Sequence, residues 1–190
     1  MNGPTSRSAH IVLVGMMGVG KSTVGRRVAK QLKRPFVDSD DEVVSRTGRP
    51  VAEIFATDGE AAFRSIEAEV MADLLDSPIP SVIAAAGGSV LDAATRTRLR
   101  AAGTVVWMQA PVDVLVDRTS RGTHRPALAT DARATLLQME TDRETLYREI
   151  ADLTVDSTAP INAVVAAVVG TVDGTVDDTV DDTVDGADAR

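Results

Sequence analysis

The sequence contains no cysteine, only two histidines and very few aromatic residues. The lack of cysteine excludes disulfides, thiolate nucleophiles and zinc sites built on cysteine, and His10 and His124 are too few for a histidine-rich metal site. Phe, Trp and Tyr together make up 3% of the chain, whereas hydrophobic residues make up 44%. A core in this protein must therefore be built from Val, Leu, Ile, Ala and Met.

The sequence also lacks a membrane segment and a basic surplus. No apolar run approaches the roughly 20 residues that cross a bilayer, and the first ten residues lack the apolar core of a signal peptide. The net charge is −8, of which −6 comes from seven aspartates and one arginine in residues 171–190. The first 170 residues carry the remaining −2, so we expect a cytoplasmic protein that binds neither nucleic acid nor membranes.

Residues 171–186 repeat a four-residue unit, as TVDG, TVDD, TVDD and TVDG. A short unit with an aspartate in each copy buries too little apolar surface to offset the entropy of ordering. We predict that residues 171–190 form a disordered acidic tail. The simplest interpretation is a solvated appendage, and the alternative is an interaction segment.

The rest of the chain alternates short β-branched runs with helical patterns. Strands are predicted at residues 11–14, 36–37, 81–86, 104–108 and 153–156. Helices are predicted at residues 22–32, 93–102, 112–119, 132–151 and 161–169, with a helical region at 41–76 that is broken at 48–50 and 58–59. This order predicts an N-terminal extension at 1–9 and one α/β domain at 10–170. Its sheet should be mainly parallel, with helices on both faces.

The strongest motif is GMMGVGKS at residues 15–22, which matches the P-loop pattern G-x-x-x-x-G-K-[ST] between a predicted buried strand and a helix. Its glycines allow backbone N–H groups to point at phosphates, and the helix adds the positive end of its dipole. In this motif the lysine reaches the β- and γ-phosphates and the serine hydroxyl ligates Mg²⁺. The sequence therefore predicts that Mg-ATP is bound by Gly18, Val19, Gly20, Lys21, Ser22 and Thr23.

Polar residues and glycines follow two other predicted strands. Asp38 and Asp40 end the second strand, at the sheet edge where ligands bind in open α/β folds. One carboxylate could organise Mg²⁺ through water and the other could deprotonate a substrate hydroxyl; equally, Asp40 or Asp41 could cap the next helix. Gly87-Gly88, after the third strand, either admits a ligand close to the backbone or forms a plain turn.

Four arginines are candidate anion ligands, namely Arg64, Arg118, Arg125 and Arg143. A single arginine is most often solvated at a protein surface. Phosphoryl transfer, however, needs cations over the developing negative charge and often a mobile cover that excludes water. The polar stretch at about 119–130 has the composition of such a lid.

Together these motifs resemble the shikimate kinase family over residues 11–155. The P-loop alone indicates only a P-loop NTPase. More specific features are D-S-D at 38–40, RTGRPVAEIFATDGEAAFRSIE at 46–67, the glycine turn, Arg125-Pro126 and R-x-x-L-Y at 143–147. The resemblance implies a fold similar to nucleoside monophosphate kinases, with three α/β/α layers and a five-stranded parallel sheet of order 2-3-1-4-5. It also implies a substrate-binding helical insert at about 39–67 and a lid.

The resemblance further implies a reaction and an acceptor site. The reaction is phosphoryl transfer from ATP to the 3-hydroxyl of shikimate, an alcohol acceptor, in aromatic amino-acid biosynthesis. Asp40 would hold the substrate hydroxyls and act as base, while Arg64 and Arg143 would grip the substrate carboxylate through bidentate forks. Gly87 would offer its backbone N–H to the substrate, with Gly88 beside it in the same site.

At the nucleotide end, the resemblance puts Lys21 and Arg125 on the phosphates, with Arg125 coming from the lid. Arg118 would lie against adenine. Ser22 would bind Mg²⁺ directly, and Asp38 would sit near the waters of the ion. The resemblance also suggests a monomer.

Two positions depart from the family pattern. The family commonly has three glycines after the third strand, where this chain has Ala86 followed by two glycines. It also often has a basic residue after the fifth strand, where residues 157–160 offer none, so we expect weaker or less selective adenine binding. Two alternatives stay open: another small-molecule kinase of this fold, acting on gluconate or a nucleoside monophosphate, and a nucleotide-binding paralogue without turnover.

Overall fold

The computed structural model describes residues 9–120 and 131–173. Five parallel strands form one sheet in the order β2-β3-β1-β4-β5. The strands are β1 (His10–Val14), β2 (Phe36–Asp38), β3 (Val82–Ala84), β4 (Gly103–Gln109) and β5 (Leu153–Asp156). This is the strand order that the family resemblance implied, and it puts β1, which leads into the P-loop, at the centre of the sheet.

Seven helices cover the sheet in the described ranges: α1 (Lys21–Leu32), α2 (Ser39–Thr47), α3 (Val51–Leu75), α4 (Ala93–Ala102), α5 (Val112–Ser120), α6 (Ala132–Ile150) and α7 (Ile161–Asp173). Helix α1 packs against α7, while α4 and α6 pack against each other over β4. The crossovers β1-α1-β2 and β3-α4-β4 run in opposite directions across the sheet, so right-handed connections put α1 and α4 on opposite faces. The three predicted layers are confirmed. Among these seven helices, none has the length and apolar character needed to cross a bilayer.

The central strand is buried along its whole length. All five residues of β1 are buried, and Ile11, Val12 and Leu13 have no accessible surface. Strand β1 pairs with β3 on one side and β4 on the other, with Ile11 opposite both Val82 and Thr104. A strand covered on both faces needs no polar alternation, which explains the continuous apolar run in the sequence.

Local sequence sets several element boundaries. Asp92 and Asp131 cap α4 and α6, because their carboxylates accept the backbone N–H groups of Thr95 at 2.6 Å and Ala134 at 2.9 Å. Helix α1 ends where Lys33 adopts a left-handed φ of 55°. Helix α4 and strand β5 begin and end at their predicted residues.

The two predicted breaks in the region 41–76 have different outcomes. The break at 48–50 separates α2 from α3, with Gly48 at φ 67°. The break at 58–59 is a kink instead, because α3 continues through Gly59 with a non-helical φ of 84° and ψ of 172°. Arg49 donates from Nε to Glu53 at 3.0 Å and from Nη1 to Asp58 at 2.7 Å. It thus ties the start of α3 to the residue before the kink.

The last helix runs past its predicted end at 169. Helix α7 continues to Asp173 and so includes the first three residues of the segment predicted as tail. Val172 packs against the hydrophobic core, and the Thr171 hydroxyl donates to the Val168 carbonyl at 2.7 Å, so packing overrides the composition of the repeat. The rest of the predicted tail, 174–190, and residues 1–8 of the extension lie outside the described residues.

Candidate active site

The P-loop is shaped by close packing on two sides. Gly15 leaves β1 with φ 137°, and a side chain there would collide with the Met108 carbonyl of β4. Gly18 has φ 80°, and a Cβ there would lie 2.8 Å from Thr119 of α5. Both positions therefore require glycine, and the loop is held between β4 and α5.

Lys21 and Ser22 begin α1, and their side chains are the ones predicted to contact the phosphates and Mg²⁺. The Lys21 ammonium folds back over the loop, donating to the carbonyls of Gly15 at 2.7 Å and Met16 at 3.1 Å. Ser22 Oγ donates to Asp38 Oδ2 at 2.6 Å. This contact joins the P-loop to the end of β2 and brings together a hydroxyl and a carboxylate, two oxygen ligands that suit Mg²⁺.

The remaining predicted residues of the loop surround the N-terminus of α1. Gly20 is the residue before the helix and has a left-handed φ of 99°. Val19 is 1% exposed and anchors the loop in the core, while Thr23 is exposed on the first turn of α1. The positive end of the helix dipole is therefore aimed at the loop, as phosphate binding requires.

Asp38 caps a helix as well as contacting the P-loop. Its Oδ1 accepts the backbone N–H of Asp40 at 3.1 Å, so Asp38 is the residue that caps α2. The alternative prediction that Asp40 or Asp41 supplies this cap is wrong. Asp40 lies exposed in the first turn of α2 and is close enough to Glu67 for their charges to interact.

The junction of β2 and α2 is bonded to the glycine turn after β3. The buried Ser39 accepts the backbone N–H of Ala86 on its Oγ at 2.9 Å. The turn closes through a hydrogen bond from Ser89 N–H to the Ala86 carbonyl at 3.1 Å. Of the described non-glycine residues, only Lys33 has a positive φ. Ala86 therefore takes the place of the family's first glycine without left-handed strain.

Arg64 lies between the acidic residues of α3 and the glycine turn. It donates from Nη1 to Glu67 Oε2 at 2.8 Å and from Nη2 to Glu60 Oε1 at 3.2 Å. Its guanidinium is so close to Gly88 that a Cβ there would lie 2.8 Å from Cζ, and it stands 5.4 Å from the Phe63 ring centroid. The side chain is still 30% exposed, so an anion can reach it.

Glu67 contacts the predicted site residue Arg64, and the sequence analysis did not identify it. It is 4% exposed, and burial raises the pKa of its carboxyl, against the opposing hydrogen bond and charge of Arg64. Its Oε1 has no hydrogen-bond partner among the described residues. The spacing in the sequence could have indicated this contact, because Glu67 follows Arg64 by three residues, and residues three apart lie on the same face of a helix.

Arg143 approaches the other side of the glycine turn from α6. It is 7% exposed and donates from Nη1 to the Gly87 carbonyl at 3.2 Å. Tyr147, one turn later, donates its hydroxyl to the same oxygen at 2.7 Å. Within residues 9–120 and 131–173, Arg143 has no ion pair and its Nε has no hydrogen-bond partner. A buried guanidinium with unmet capacity favours an anion at this point.

Arg118 lies on the nucleotide side, near the end of α5. It donates from Nη2 to the Ser157 carbonyl at 2.9 Å, and from Nη1 to Ser157 Oγ at 3.1 Å and to the Val19 carbonyl at 3.4 Å. The loop after β5 lacks a basic residue but supplies a serine that fixes this arginine. Arg125 and the rest of residues 121–130, where the sequence predicts a lid, lie outside the described residues.

A cavity of about 500 Å³ opens beside Arg64. Its walls come from α3, α4 and the turn between β3 and α4, and the described residues that line it include Glu67, Gly88 and Arg64 but neither Asp40 nor Arg143. Open space therefore reaches the predicted acceptor site from the side of α3 and α4.

A continuous series of contacts joins most of the predicted site. The P-loop contacts the end of β2 through Ser22, and the start of α2 contacts the glycine turn through Ser39. The turn lies between Arg64 and Arg143. Arg118 stands apart from this acceptor side, on the other flank of the P-loop.

Comparison with known proteins identifies the family. The sequence profile of shikimate kinase matches residues 17–173, most of the chain. The chain belongs to the shikimate kinase family. A shikimate kinase from Francisella tularensis subsp. novicida (strain U112) is 43% identical over 152 residues, which cover 80% of this chain and 86% of that protein. One from Francisella philomiragia subsp. philomiragia is 41% identical with the same coverage.

Solved structures of this family share the fold. Shikimate kinase from Acinetobacter baumannii, solved in complex with shikimate, superposes with a TM-score of 0.83 at 33% identity, covering 89% of this chain and 96% of that one. A gluconokinase from Sinorhizobium meliloti 1021 has a TM-score of 0.64 at 23% identity, covering 89% and 94%, and so resembles the chain in fold alone. As a member of the shikimate kinase family the protein is a P-loop kinase, and the predicted fold and enzyme class are confirmed.

Proposed function

We propose that this protein transfers the γ-phosphoryl group of ATP to the 3-hydroxyl of shikimate, giving 3-phosphoshikimate and ADP, as a step of aromatic amino-acid biosynthesis. Membership of the shikimate kinase family supports this reaction. The observation that carries the assignment is the pair Arg64 and Arg143 on the two sides of one glycine turn. An acceptor with a carboxylate beside hydroxyl groups fits this pair, because guanidinium binds carboxylate through paired hydrogen bonds.

At the acceptor end, we assign the carboxylate of shikimate to Arg64 and Arg143 and its hydroxyls to Asp40. Asp40 is exposed and lies two residues after Asp38, which contacts the P-loop, and this position supports a role as base. Its carboxylate would accept the proton of the 3-hydroxyl as that oxygen forms a bond to the γ-phosphorus. Backbone N–H groups of the glycine turn, from Gly87 and Gly88, would complete the site.

At the nucleotide end, we assign the phosphates of ATP to the P-loop. Lys21 would exchange the carbonyls of Gly15 and Met16 for the phosphates, and would stabilise the charge that develops as the bond from the γ-phosphorus to the ADP oxygen breaks. Arg125 would add a second cation from the lid. The remaining nucleotide contacts are assigned to Gly18, Val19, Gly20, Ser22, Thr23 and Arg118.

Mg²⁺ fits the residues at this end. Ser22 Oγ and Asp38 Oδ2, which are 2.6 Å apart, are hard oxygen donors of the kind that hold Mg²⁺ in P-loop enzymes. We assign Ser22 as a direct ligand and Asp38 as a ligand through water. Bound with ATP, the ion neutralises charge on the β- and γ-phosphates.

A coupled assay for ADP release tests the proposal. With Mg-ATP, we expect ADP release that depends on shikimate, with one 3-phosphoshikimate formed per ADP by mass spectrometry. Gluconate and AMP replace shikimate in parallel reactions, and turnover with either of them alone would point to another small-molecule kinase. Folded protein that binds ATP and yields no phosphorylated product would overturn the proposal in favour of a non-catalytic paralogue.

We also propose that the protein acts as a monomer in the cytoplasm, with ATP and shikimate as its binding partners. The resemblance to the shikimate kinase family is what suggests a monomer. Size-exclusion chromatography with light scattering should give a mass near the 20.0 kDa of the chain. A dimer at working enzyme concentrations would contradict this assignment.

A further inference from the structure

Two side chains of α6 bind the same backbone oxygen of the glycine turn. Tyr147 is 1% exposed, and its hydroxyl donates to the Gly87 carbonyl at 2.7 Å. Arg143, four residues earlier on the same helix, donates to that oxygen from Nη1 at 3.2 Å. The proposed function uses Arg143 and the turn but gives Tyr147 no role.

The orientation of the Gly87 carbonyl also determines the orientation of the next backbone N–H group. In a trans peptide, the C=O of one residue and the N–H of the next point in opposite directions within one plane. Holding the Gly87 oxygen toward α6 therefore turns the Gly88 N–H away from α6. Because glycine populates a wide range of φ and ψ, Gly87-Gly88 depends on outside contacts for this orientation. Gly88 is also the residue against which Arg64 packs.

The position of the Tyr147 ring is itself fixed. The ring stacks on Trp107 of β4, with centroids 5.8 Å apart and planes at 24°. Trp107 is in register with Val14, the last residue of β1 before the P-loop. A Cβ on Gly87 would lie 3.6 Å from the Tyr147 hydroxyl and 3.3 Å from the Gly15 carbonyl. Gly87 therefore lies close both to the Tyr147 hydroxyl and to the first residue of the P-loop.

The Tyr147 hydroxyl remains a donor at neutral pH. Burial raises the pKa of Tyr147 to about 12, against the opposing charge of Arg143. A buried tyrosine generally finds a hydrogen-bond partner, so the bond to Gly87 could serve packing alone. What distinguishes this bond is its acceptor, because the same oxygen holds the Arg143 guanidinium.

We infer that Tyr147 is a positioning residue of the acceptor site, whose hydroxyl holds the Gly87 carbonyl and thereby sets the Gly88 N–H and the Arg143 guanidinium in the geometry that binds substrate. The inference rests on the proposed roles of the glycine turn and Arg143. Because Tyr147 acts through these groups, its loss should weaken shikimate binding more than it slows phosphoryl transfer.

Tyr147→Phe tests this role, since it keeps the ring and its stacking on Trp107 but removes the donor. We expect the KM for shikimate to rise about three- to tenfold, the effect of one lost hydrogen bond, while kcat and the KM for ATP stay within about twofold. Val168→Ala is the matched control. Val168 is fully buried on α7, so the variant loses stability without touching the turn, and its KM for shikimate should equal that of the wild type.

Amide hydrogen exchange gives a readout that does not depend on turnover. Exchange in residues 85–91 should rise severalfold in Tyr147→Phe and stay at the wild-type rate in Val168→Ala. Unchanged exchange overturns the inference, as does an unchanged KM for shikimate when the wild type is active. A wild-type protein without shikimate turnover overturns the proposed function instead, and exchange then still decides whether Tyr147 holds the turn.

Discussion

Gly88→Ala is a substitution whose consequence follows directly from interatomic distances. An alanine Cβ at this position would lie 2.8 Å from Cζ and 3.1 Å from Nη2 of Arg64, closer than carbon atoms pack. Either the turn or the arginine must move. The guanidinium ends a flexible side chain that is 30% exposed, whereas the turn is bonded to Ser39 and Tyr147. We therefore expect Arg64 to move and the backbone to stay.

The displacement should reduce substrate affinity and also lower stability. An arginine pushed from this position loses its 2.8 Å contact with Glu67 and its alignment with the proposed substrate carboxylate. Hydrogen bonds to a charged group contribute about 1.5–3 kcal/mol, which corresponds to about 10- to 150-fold in a binding constant. The KM for shikimate should rise by that factor, while the KM for ATP changes less than about twofold. Glu67 is 4% exposed, so the loss of its partner leaves a buried carboxylate less satisfied at a cost of about 1–3 kcal/mol, and Tm should fall by about 2–12 °C.

Steady-state kinetics with the coupled ADP assay measures both KM values, and Gly87→Ala is the matched comparison. A Cβ on Gly87 would lie 3.6 Å from Arg143 Nη1, an ordinary contact, and 3.3 Å from the Gly15 carbonyl, a tight contact that requires a shift of a few tenths of an ångström. Because this clash is milder than that at Gly88, the increase in KM should be smaller. An unchanged KM for shikimate in Gly88→Ala would refute the placement of the substrate carboxylate on Arg64. A larger effect from Gly87→Ala would contradict the distances on which the ranking depends.

Other changes test single roles. Lys21→Ala should lower kcat by about 10²- to 10³-fold, because a cation over the transferring group is lost; Lys30→Ala on the exposed side of α1 is the control, and near-normal kcat in Lys21→Ala would contradict its role. Arg143→Ala should raise the KM for shikimate more than it lowers kcat, and an unchanged KM would remove Arg143 from the site. Burial raises the pKa of Glu67 above its ordinary value of 4.5, so its contribution to stability is present below pH 4.5 and is lost as pH rises through the folded-state pKa. The free energy of unfolding, measured by chemical denaturation between about pH 4 and 7, should show this loss in the wild type and not in Glu67→Gln. The same pH dependence in both proteins would refute the role of Glu67. Deleting residues 174–190 should leave kcat/KM within a few-fold, and a large loss would give that segment a part in the reaction.

The elements that the sequence predicts well are those determined by neighbouring residues. Helix α4 has its predicted bounds because Asp92 caps its start and Gly103 follows its end. The P-loop was recognisable because the spacing of its glycines is local and its strand is buried on both faces. The strand order came from family resemblance, since pairing between strands joins residues far apart in the chain.

Contacts between distant residues account for what the sequence did not predict. Arg118 donates to Ser157, which is 39 residues away in the chain. The sequence showed that no basic residue follows β5, but it did not show that a serine there contacts Arg118. At the junction of β2 and α2 the capping role was predicted for Asp40 or Asp41, yet the two carboxylate oxygens of Asp38 contact the P-loop and cap α2 at once. The first residues of the acidic repeat are helical because Val172 packs against the core. Composition alone does not predict this contact.

The two arginines proposed for the acceptor site, Arg64 and Arg143, differ in the contacts that an incoming anion would have to replace. Arg64 is paired with Glu60 and Glu67, so a substrate carboxylate must compete with these groups for it. Arg143 is 7% exposed, is held by the Gly87 carbonyl and has no ion pair in the described part of the chain. A buried charge without an oppositely charged partner is unfavourable. A carboxylate that binds Arg143 would offset this cost with little movement of the side chain. We therefore expect Arg143 to provide a preformed anion site, whereas the competition for Arg64 makes substrate affinity depend on the charge of Glu67.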